Sequence, residues 1–306
     1  MRNAFADELT RLGSADPRVM LLSGDIGNKL FDKFKDAAPG RFINCGIGEA
    51  NMMGMAAGLA MNGYRPVVYT IAPFTTTRCF EQIRVDVCYH RAPVTIVGTG
   101  AGISYADLGP THHSLEDLAI LRTLPGLTVV APADSIELRL AMRQALCQDG
   151  PVYVRIGKKG EPDLHDGDPA FGLGRALTLR EGTDVCLIGA GTIVANLVKA
   201  ADILAATGIS TRVESFHTVK PLDEARLAEI FARYPAVGVA EEHGRIGGLF
   251  GAIAEWRATC GAGAQVRMLA FGAPDEFAHV IGSRDYFRRK FGLAAETIAD
   301  AMAGAL

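Results

Sequence analysis

The stretch NCGIGEANMMGMAAGLAM, residues 44–61, combines closely spaced glycines and alanines with a single carboxylate at Glu49. No other charged residue lies between Arg41 and Arg65. The apolar run 52–61 is shorter than the roughly 20 residues that a helix needs to cross a bilayer. Because small side chains let other backbone approach closely, the stretch predicts a buried helix whose first turn presents one acid.

The position of Glu49 has two interpretations. A lone carboxylate on a buried helix is costly unless another group pairs with it or protonates it, which makes Glu49 a candidate for a functional site. Alternatively, an acid in the first turn of a helix simply balances the helix dipole. The stretch alone leaves both open.

Composition narrows the classes of function. The chain has 306 residues, which suggests two domains, and its net charge of −3 gives no electrostatic basis for binding nucleic acid or an anionic membrane. Six scattered cysteines without a CxxC pair indicate reduced core thiols rather than disulfides or a metal site. The amphipathic, acidic N-terminus is unlike a signal or transit peptide. We therefore expect a cytoplasmic protein.

Apolar runs alternate with amphipathic segments along the whole chain. Buried strands are predicted at 19–22, 42–43, 67–71, 93–97, 128–131, 152–156, 185–189, 210–215, 236–240 and 266–270. This alternation predicts an α/β fold in which two domains each contain a mainly parallel sheet flanked by helices. The boundary falls in the Gly-, Asp- and Pro-rich segment 157–174, and a final helix is predicted from 293 to the end.

Polar residues follow two of these strands. Asp25 lies in the glycine-rich loop after the first strand. Residues 98–117 form a long, glycine-rich segment that contains Asp107 and the adjacent pair His112 and His113. Since open α/β sheets bind ligands at the carboxyl ends of their strands, these loops predict a polar pocket.

Several of these segments together resemble a known family. The series SGDIG, GIGEANMMGMAAGLAM, APFTTTRCFEQIRVDV, GPTHHSLED, HTVKPLD and AEEHGRIGG is similar to the second and third domains of transketolases. It resembles 1-deoxyxylulose-5-phosphate synthases and the β subunits of 2-oxoacid dehydrogenase E1 components in the same way. The resemblance implies a pyrimidine-binding domain at 1–157, a linker at 158–174 and a transketolase C-terminal domain at 175–306.

The resemblance also implies that thiamine diphosphate is the cofactor and that part of its site is missing. A complete enzyme holds the diphosphate through Mg²⁺ on a domain marked by GDG and a later Asn, and the GDIGN segment at 24–28 has neither the spacing nor the position of that motif. The chain thus resembles one half of a split enzyme. A second, diphosphate-binding subunit would hold most of the Mg²⁺ contacts in an α2β2 assembly, and no metal ligand is assigned to this chain.

The resemblance assigns cofactor contacts residue by residue. Glu49 matches the glutamate that hydrogen-bonds N1′ of the aminopyrimidine and so takes part in catalysis. Phe74 lies in the segment that supplies an aromatic ring against the pyrimidine, with Tyr69 as a second aromatic candidate. Asp25 matches an acidic residue near the thiazolium end.

Substrate contacts are implied in the same way. His112 matches the histidine of GPTH that faces the hydroxyls of the donor substrate, with a catalytic role, and His113 adjoins it. Lys158 stands where sugar-phosphate transketolases have an arginine for the substrate phosphate. Asp107 lies one position before the place where the family has an acid that recognises a substrate hydroxyl.

Three departures from the family pattern concern the substrate. Leu108 occupies the position of the acid, Gly100 stands where a histidine is expected, and Lys158 replaces a bidentate arginine with a point charge. These departures indicate a specialised sugar rather than the common pentose phosphates.

The resulting hypothesis is one subunit of a split transketolase-like transferase that moves a two-carbon ketol unit from a ketose to an aldehyde. One alternative is the β subunit of an E1-type enzyme acting on a 2-oxoacid, which GPTHHS also fits. Another is a non-catalytic regulatory subunit with the same fold. The presence of Glu49 argues against the last, because a subunit without chemistry has no need for a buried acid.

Overall fold

Twelve strands carry the fold in the computed structural model, which describes residues 1–306 apart from the side chain of Asn28. The strands are β1 (Val19–Ser23), β2 (Phe42–Asn44), β3 (Arg65–Ile71), β4 (Thr95–Thr99), β5 (Thr128–Val130), β6 (Val152–Ile156), β7 (Leu177–Arg180), β8 (Val185–Ala190), β9 (Thr211–Ser215), β10 (Thr218–Lys220), β11 (Ala236–Gly244) and β12 (Arg267–Ala273).

Helices cover both faces of these sheets. They are α1 (Arg2–Ala15), α2 (Asp32–Ala37), α3 (Glu49–Met61), α4 (Ala72–Thr75), α5 (Phe80–Gln82), α6 (Asp117–Arg122), α7 (Ser135–Ala145), α8 (Val194–Ala206), α9 (Glu224–Arg233), α10 (Leu249–Cys260), α11 (Arg284–Lys290) and α12 (Ala295–Ala303). Short 3₁₀ turns lie at Asn28–Phe31, Thr77–Cys79, Ala106–Leu108 and Gly191–Ile193, and a π-helical turn lies at Ile83–Tyr89.

The first sheet has the strand order β10–β5–β6–β4–β3–β1–β2, and every pairing in it except that of β10 is parallel. From β1 the chain goes to β2 on one side and then to β3 on the other. The loops that leave β1 and β3 therefore diverge, which opens a crevice at the carboxyl ends of these strands. The predicted α/β class with parallel sheets is confirmed.

Helix α3, which contains the stretch quoted first, packs on one face of this sheet. Its buried side chains are Met52, Met53, Ala56, Ala57 and Ala60, and they join the apolar core that includes Leu22 and Val68 of the sheet. The small side chains allow close approach, and the helix begins at Glu49 directly after Gly48. Packing thus places the single acid of the helix at the edge of the sheet where the strands end.

The second sheet has the order β12–β11–β8–β9–β7 and is parallel except for the pairing of β7 with β9. Three elements had no counterpart in the prediction from sequence: β7, β10 and α11. Strand β10 has only three residues, too few for a periodic pattern, and it leaves the second half of the chain to pair antiparallel with β5 of the first sheet. The final helix begins at Ala295, not at residue 293.

A buried arginine also joins the two halves through a hydrogen bond. Arg155 on β6 donates from Nε to Asp117 at 2.7 Å and from Nη2 to the carbonyl oxygens of Ser114 and Glu242, both at 2.8 Å. Arg284 and Glu242 form a further pair at 2.8 Å. Since Glu242 lies on β11 and Arg155 on β6, these contacts connect the two sheets.

None of the helices in the described part of the chain combines the length and the apolar character that a membrane crossing requires.

The predicted linker lies along the first half of the chain through specific contacts. The amide of Leu164 donates to Asp134 at 2.7 Å, and His165 Nε2 lies 3.1 Å from Glu137 Oε1. Burial alone would lower the pKa of His165, but the hydrogen bond and charge of Glu137 outweigh it and raise this pKa above the ordinary value of 6.5. The contact is therefore strongest when His165 is protonated.

This ion pair predicts a pH-dependent linker. A raised pKa stabilises the folded state below the unfolded pKa of about 6.5, and that contribution is lost as pH rises through the raised value. His165→Gln should therefore increase linker opening by about 1 kcal/mol at pH 6, or roughly fivefold, and by less at pH 8.5. Hydrogen exchange of residues 158–174 at both pH values tests this, with exposed His90→Gln as the control. An equal effect at both pH values would contradict it.

Candidate active site

Six loops begin at the same edge of the first sheet, because they follow parallel strands. They leave β1, β2, β3, β4, β5 and β6. The residues that the sequence analysis singled out lie on these loops or on the elements that follow them, with the exception of Tyr69, which lies within β3.

Glu49 lies in the first turn of α3 and is only 4% exposed. Its Oε1 accepts a hydrogen bond from Nη1 of Arg78 at 3.2 Å. Arg78 itself is 52% exposed, so the guanidinium reaches from the surface into the crevice to meet a buried acid. The pairing offsets the cost of burying the carboxylate.

Phe74 forms the second part of this group. It lies on α4 directly after β3, and the Cζ atom of Arg78 is 3.8 Å from the centre of its ring. At this distance the guanidinium makes a cation–π contact with the ring face. Arg78 therefore contacts Glu49 and Phe74 at once, and sequence analysis did not identify it. The available signal was its position four residues after Phe74 in the same segment, although the two residues lie on separate short helical turns.

His112 lies on the other side of Phe74. Its ring centre is 5.3 Å from that of Phe74 and 5.9 Å from that of Tyr105, and its Nδ1 lies 2.9 Å from Thr111 Oγ1. Burial lowers the pKa of His112, and the charge of Arg78 lowers it further. The imidazole is accordingly expected to be neutral at pH 7 and able to accept or donate a hydrogen bond.

Tyr105 and Lys158 extend the row of contacts that begins with Glu49, Arg78, Phe74 and His112. Lys158 Nζ lies 4.3 Å from the centre of the Tyr105 ring. Gly100 has a φ of 75°, and a Cβ atom at this position would lie 1.9 Å from the Tyr105 ring. A histidine at position 100 is therefore incompatible with Tyr105 in its place. This packing gives a physical reason for one departure from the family pattern.

Asp25 lies at the same edge but outside this group. It has a φ of 54°, and its Oδ1 accepts a hydrogen bond from Asn44 Nδ2 at 2.9 Å. Asn44 Oδ1 in turn accepts from the amide of Gly46 at 2.9 Å. The two bonds tie the loop after β1 to the loop that leads into Glu49. Sequence analysis missed Asn44.

The structure does not bring Tyr69 to Phe74. Its side chain is 1% exposed, stacks on Phe5 with ring centres 5.2 Å apart and meets the edge of Phe31 at 5.0 Å. These contacts belong to the core that contains α1, beneath the opposite face of the sheet from α3. Alternation along a strand explains this, since successive side chains point to opposite faces.

The adjacent histidines point in different directions. His113 is buried, and its ring centre lies 5.4 Å from that of Phe287 on α11. Burial lowers the pKa of His113. Asp107 lies on the exposed 3₁₀ turn before His112, where its charge raises the pKa of that histidine and so opposes the cations around it. Only His112 of the pair faces Phe74.

Two family models match nearly the whole chain. The transketolase pyrimidine-binding domain matches residues 1–161, and the transketolase C-terminal domain matches residues 174–298. The chain belongs to the transketolase family.

Relatives within this family include separate subunits. The chain is 38% identical to the 6-deoxy-6-sulfo-D-fructose transketolase subunit SqwH of Clostridium sp. (strain MSTE9), over 98% of this chain and 92% of that protein. It is 34% identical to an apulose-4-phosphate transketolase subunit from Phocaeicola vulgatus, over 97% and 94%. A solved structure described as a split gene transketolase, inactive beta4 tetramer, has a TM-score of 0.89 and 36% identity, covering 100% of this chain and 97% of that one.

As a transketolase-family transferase subunit, the chain uses thiamine diphosphate chemistry, and its residues fit the aminopyrimidine end of that cofactor. This end needs a flat surface to stack on and a carboxyl group for a ring nitrogen. Phe74 and Glu49 offer both within one crevice, and a flat, nitrogen-rich group, the Arg78 guanidinium, already contacts the two.

The electrostatics of this transketolase-family site predict how His112 titrates. Arg78→Met or Lys158→Met should each raise the pKa of His112, because each removes a cation that disfavours the charged imidazole, whereas Asp107→Asn should lower it. NMR titration of the histidine ring signals measures these shifts, and exposed Lys159→Met is the matched control. An unchanged titration of His112 in all three variants would show that these charges do not act on it.

Proposed function

We propose that this chain is the pyrimidine-binding subunit of a two-subunit transketolase for a sugar that carries a terminal anionic group. The observation that carries the proposal is the group formed by Glu49, Phe74 and His112 at the edge where the strands end. The enzyme would transfer a two-carbon ketol unit from a ketose to an aldehyde. Six unpaired cysteines fit a reducing, cytoplasmic setting.

Each residue of the group has a distinct role in this proposal. Thiamine diphosphate, when bound, supplies a carbon nucleophile and an electron sink for cleavage of the bond next to a ketone. Glu49 would share a proton with N1′ of the pyrimidine and so hold the ring in its reactive form. Phe74 would stack against that ring. Asp25 would face the thiazolium end from the loop after β1.

The substrate side of the crevice carries a cation, Lys158, and an acid, Asp107. His112, kept neutral, would hydrogen-bond the hydroxyls of the donor, and exposed Asp107 would contact a further hydroxyl. Lys158 would attract the anionic end of the sugar. The relatives support this class of substrate, since the name of one contains a sulfo sugar and that of another a sugar phosphate. His113 would act indirectly, because it fixes the loop against α11.

A second polypeptide would complete the site. The chain lacks the GDG motif that holds the diphosphate through Mg²⁺, so this ion and the diphosphate would be bound mainly by a partner subunit in an α2β2 assembly. The loop before Glu49 exposes the large apolar side chain of Ile47, which fits a surface that a partner covers.

Replacing Glu49 tests the catalytic assignment. Glu49→Gln keeps the shape of the side chain but removes the acid, so turnover by the assembled enzyme should fall by about 10²–10⁴-fold while assembly is retained. Turnover on ketose donors and size-exclusion chromatography measure the two properties, and the exposed Glu224→Gln serves as the control. Unchanged turnover in Glu49→Gln would refute the assignment.

Calorimetry tests the split site. The purified chain should bind thiamine diphosphate and Mg²⁺ weakly or not at all alone, because it supplies only the pyrimidine end. Binding should become tight when a diphosphate-binding subunit encoded by a neighbouring gene is added. Tight binding by the chain alone would mean that it holds the diphosphate itself, and the two-subunit proposal would have to be abandoned.

A further inference from the structure

We infer that Arg78 occupies the place of the cofactor's pyrimidine ring in this subunit, and that the ring must displace it to reach Glu49. The inference rests on the proposed function and concerns which group occupies the same site before the cofactor binds. It assigns Arg78 as an internal competitor of thiamine diphosphate.

The geometry of the guanidinium supports this assignment. It is a flat, nitrogen-containing group whose Cζ lies 3.8 Å from the centre of the Phe74 ring, while Nη1 donates to Glu49 Oε1 at 3.2 Å. Stacking on an aromatic ring and a hydrogen bond to a buried carboxylate are the two contacts that an aminopyrimidine would make here. The two groups cannot hold these positions at the same time.

The burial of the two partners shows which one can move. Glu49 is 4% exposed and is fixed in the first turn of α3, whereas Arg78 is 52% exposed on a short 3₁₀ turn. Apart from the contacts of its guanidinium with Glu49 and Phe74, about half of the Arg78 side chain is exposed to solvent. Its long side chain can therefore leave the crevice without disturbing the core, and its charge would be readily solvated outside.

Charge explains why the subunit has such a group. Without the cofactor, Glu49 would be a buried carboxylate with no partner, which is strongly unfavourable. Before the cofactor binds, Arg78 pairs with this carboxylate. When the cofactor arrives, a ring nitrogen replaces the guanidinium as the hydrogen-bond partner of Glu49. The apparent affinity for the cofactor is then reduced by the fraction of subunits in which Arg78 still occupies the crevice.

A comparison of two arginines tests the inference. Arg78→Met keeps an unbranched apolar stem but removes the charged, flat end, and Arg84→Met is the matched control. Arg84 is 54% exposed and pairs with Glu81 at 2.8 Å. In the complex with the diphosphate-binding subunit, Arg78→Met should bind thiamine diphosphate and Mg²⁺ about tenfold more tightly than the unaltered enzyme, as expected if about one subunit in ten is open. Arg84→Met should bind with unchanged affinity.

The binding constant, measured by calorimetry, decides the matter independently of turnover. Equal or weaker binding by Arg78→Met would overturn the inference, because Arg78 would then be a bystander or a group that holds the cofactor. If Arg78→Met does not fold, Arg78→Lys keeps the charge but lacks the flat end, and it should bind more tightly than the unaltered enzyme. Equal or weaker binding by Arg78→Lys would also overturn the inference. Failure of the unaltered complex to bind any cofactor would instead refute the proposed function.

Discussion

One buried charge, the carboxylate of Glu49, constrains the rest of the site. Helix α3 can pack closely on the sheet because its inward residues are small or flexible. This packing buries its single acid, which is only 4% exposed. A charge there needs a partner. Arg78 supplies it from a turn that follows the next strand, 29 residues further along the chain. This one contact thus pairs the charge that the packing of α3 buries.

The order of strands in the first sheet determines what surrounds that contact. Because β1 and β3 are neighbours while the chain between them visits β2, the loops after these strands separate and leave a crevice. Glu49, Phe74 and His112 follow three different strands, β2, β3 and β4, yet all lie at this edge. Asp25 and Asn44 link two of the loops and hold the approach to Glu49. In the proposed function this crevice is half of a cofactor site, in line with the similarity of the chain to separate transketolase subunits.

The second half of the chain contacts the first sheet and the loop that carries His112. Strand β10 extends the first sheet, Arg155 bonds to the backbone of β11, and His113 packs against Phe287. Since His113 is anchored in this way, its neighbour His112 is turned toward Phe74. In the same region, the packing of Tyr105 against Gly100 leaves no room for a side chain at position 100. The C-terminal half therefore orients the loop that carries His112.

Sequence alone determined the α/β class, most of the strands and the candidates Glu49, Phe74, His112 and Lys158. The class and the strands follow from apolar runs, and Glu49 follows from the small residues around one acid. Phe74, His112 and Lys158 follow from motifs that resemble those of transketolases.

Only the tertiary structure decided which of these side chains meet. It turned Tyr69 into the core because neighbouring residues on a strand face opposite ways, and it separated His112 from His113. It also joined Arg78 to Glu49 and brought β10 from one half of the chain into the sheet of the other. Contacts between distant segments depend on how elements pack, and neither hydrophobic periodicity nor the spacing of a motif contains that information.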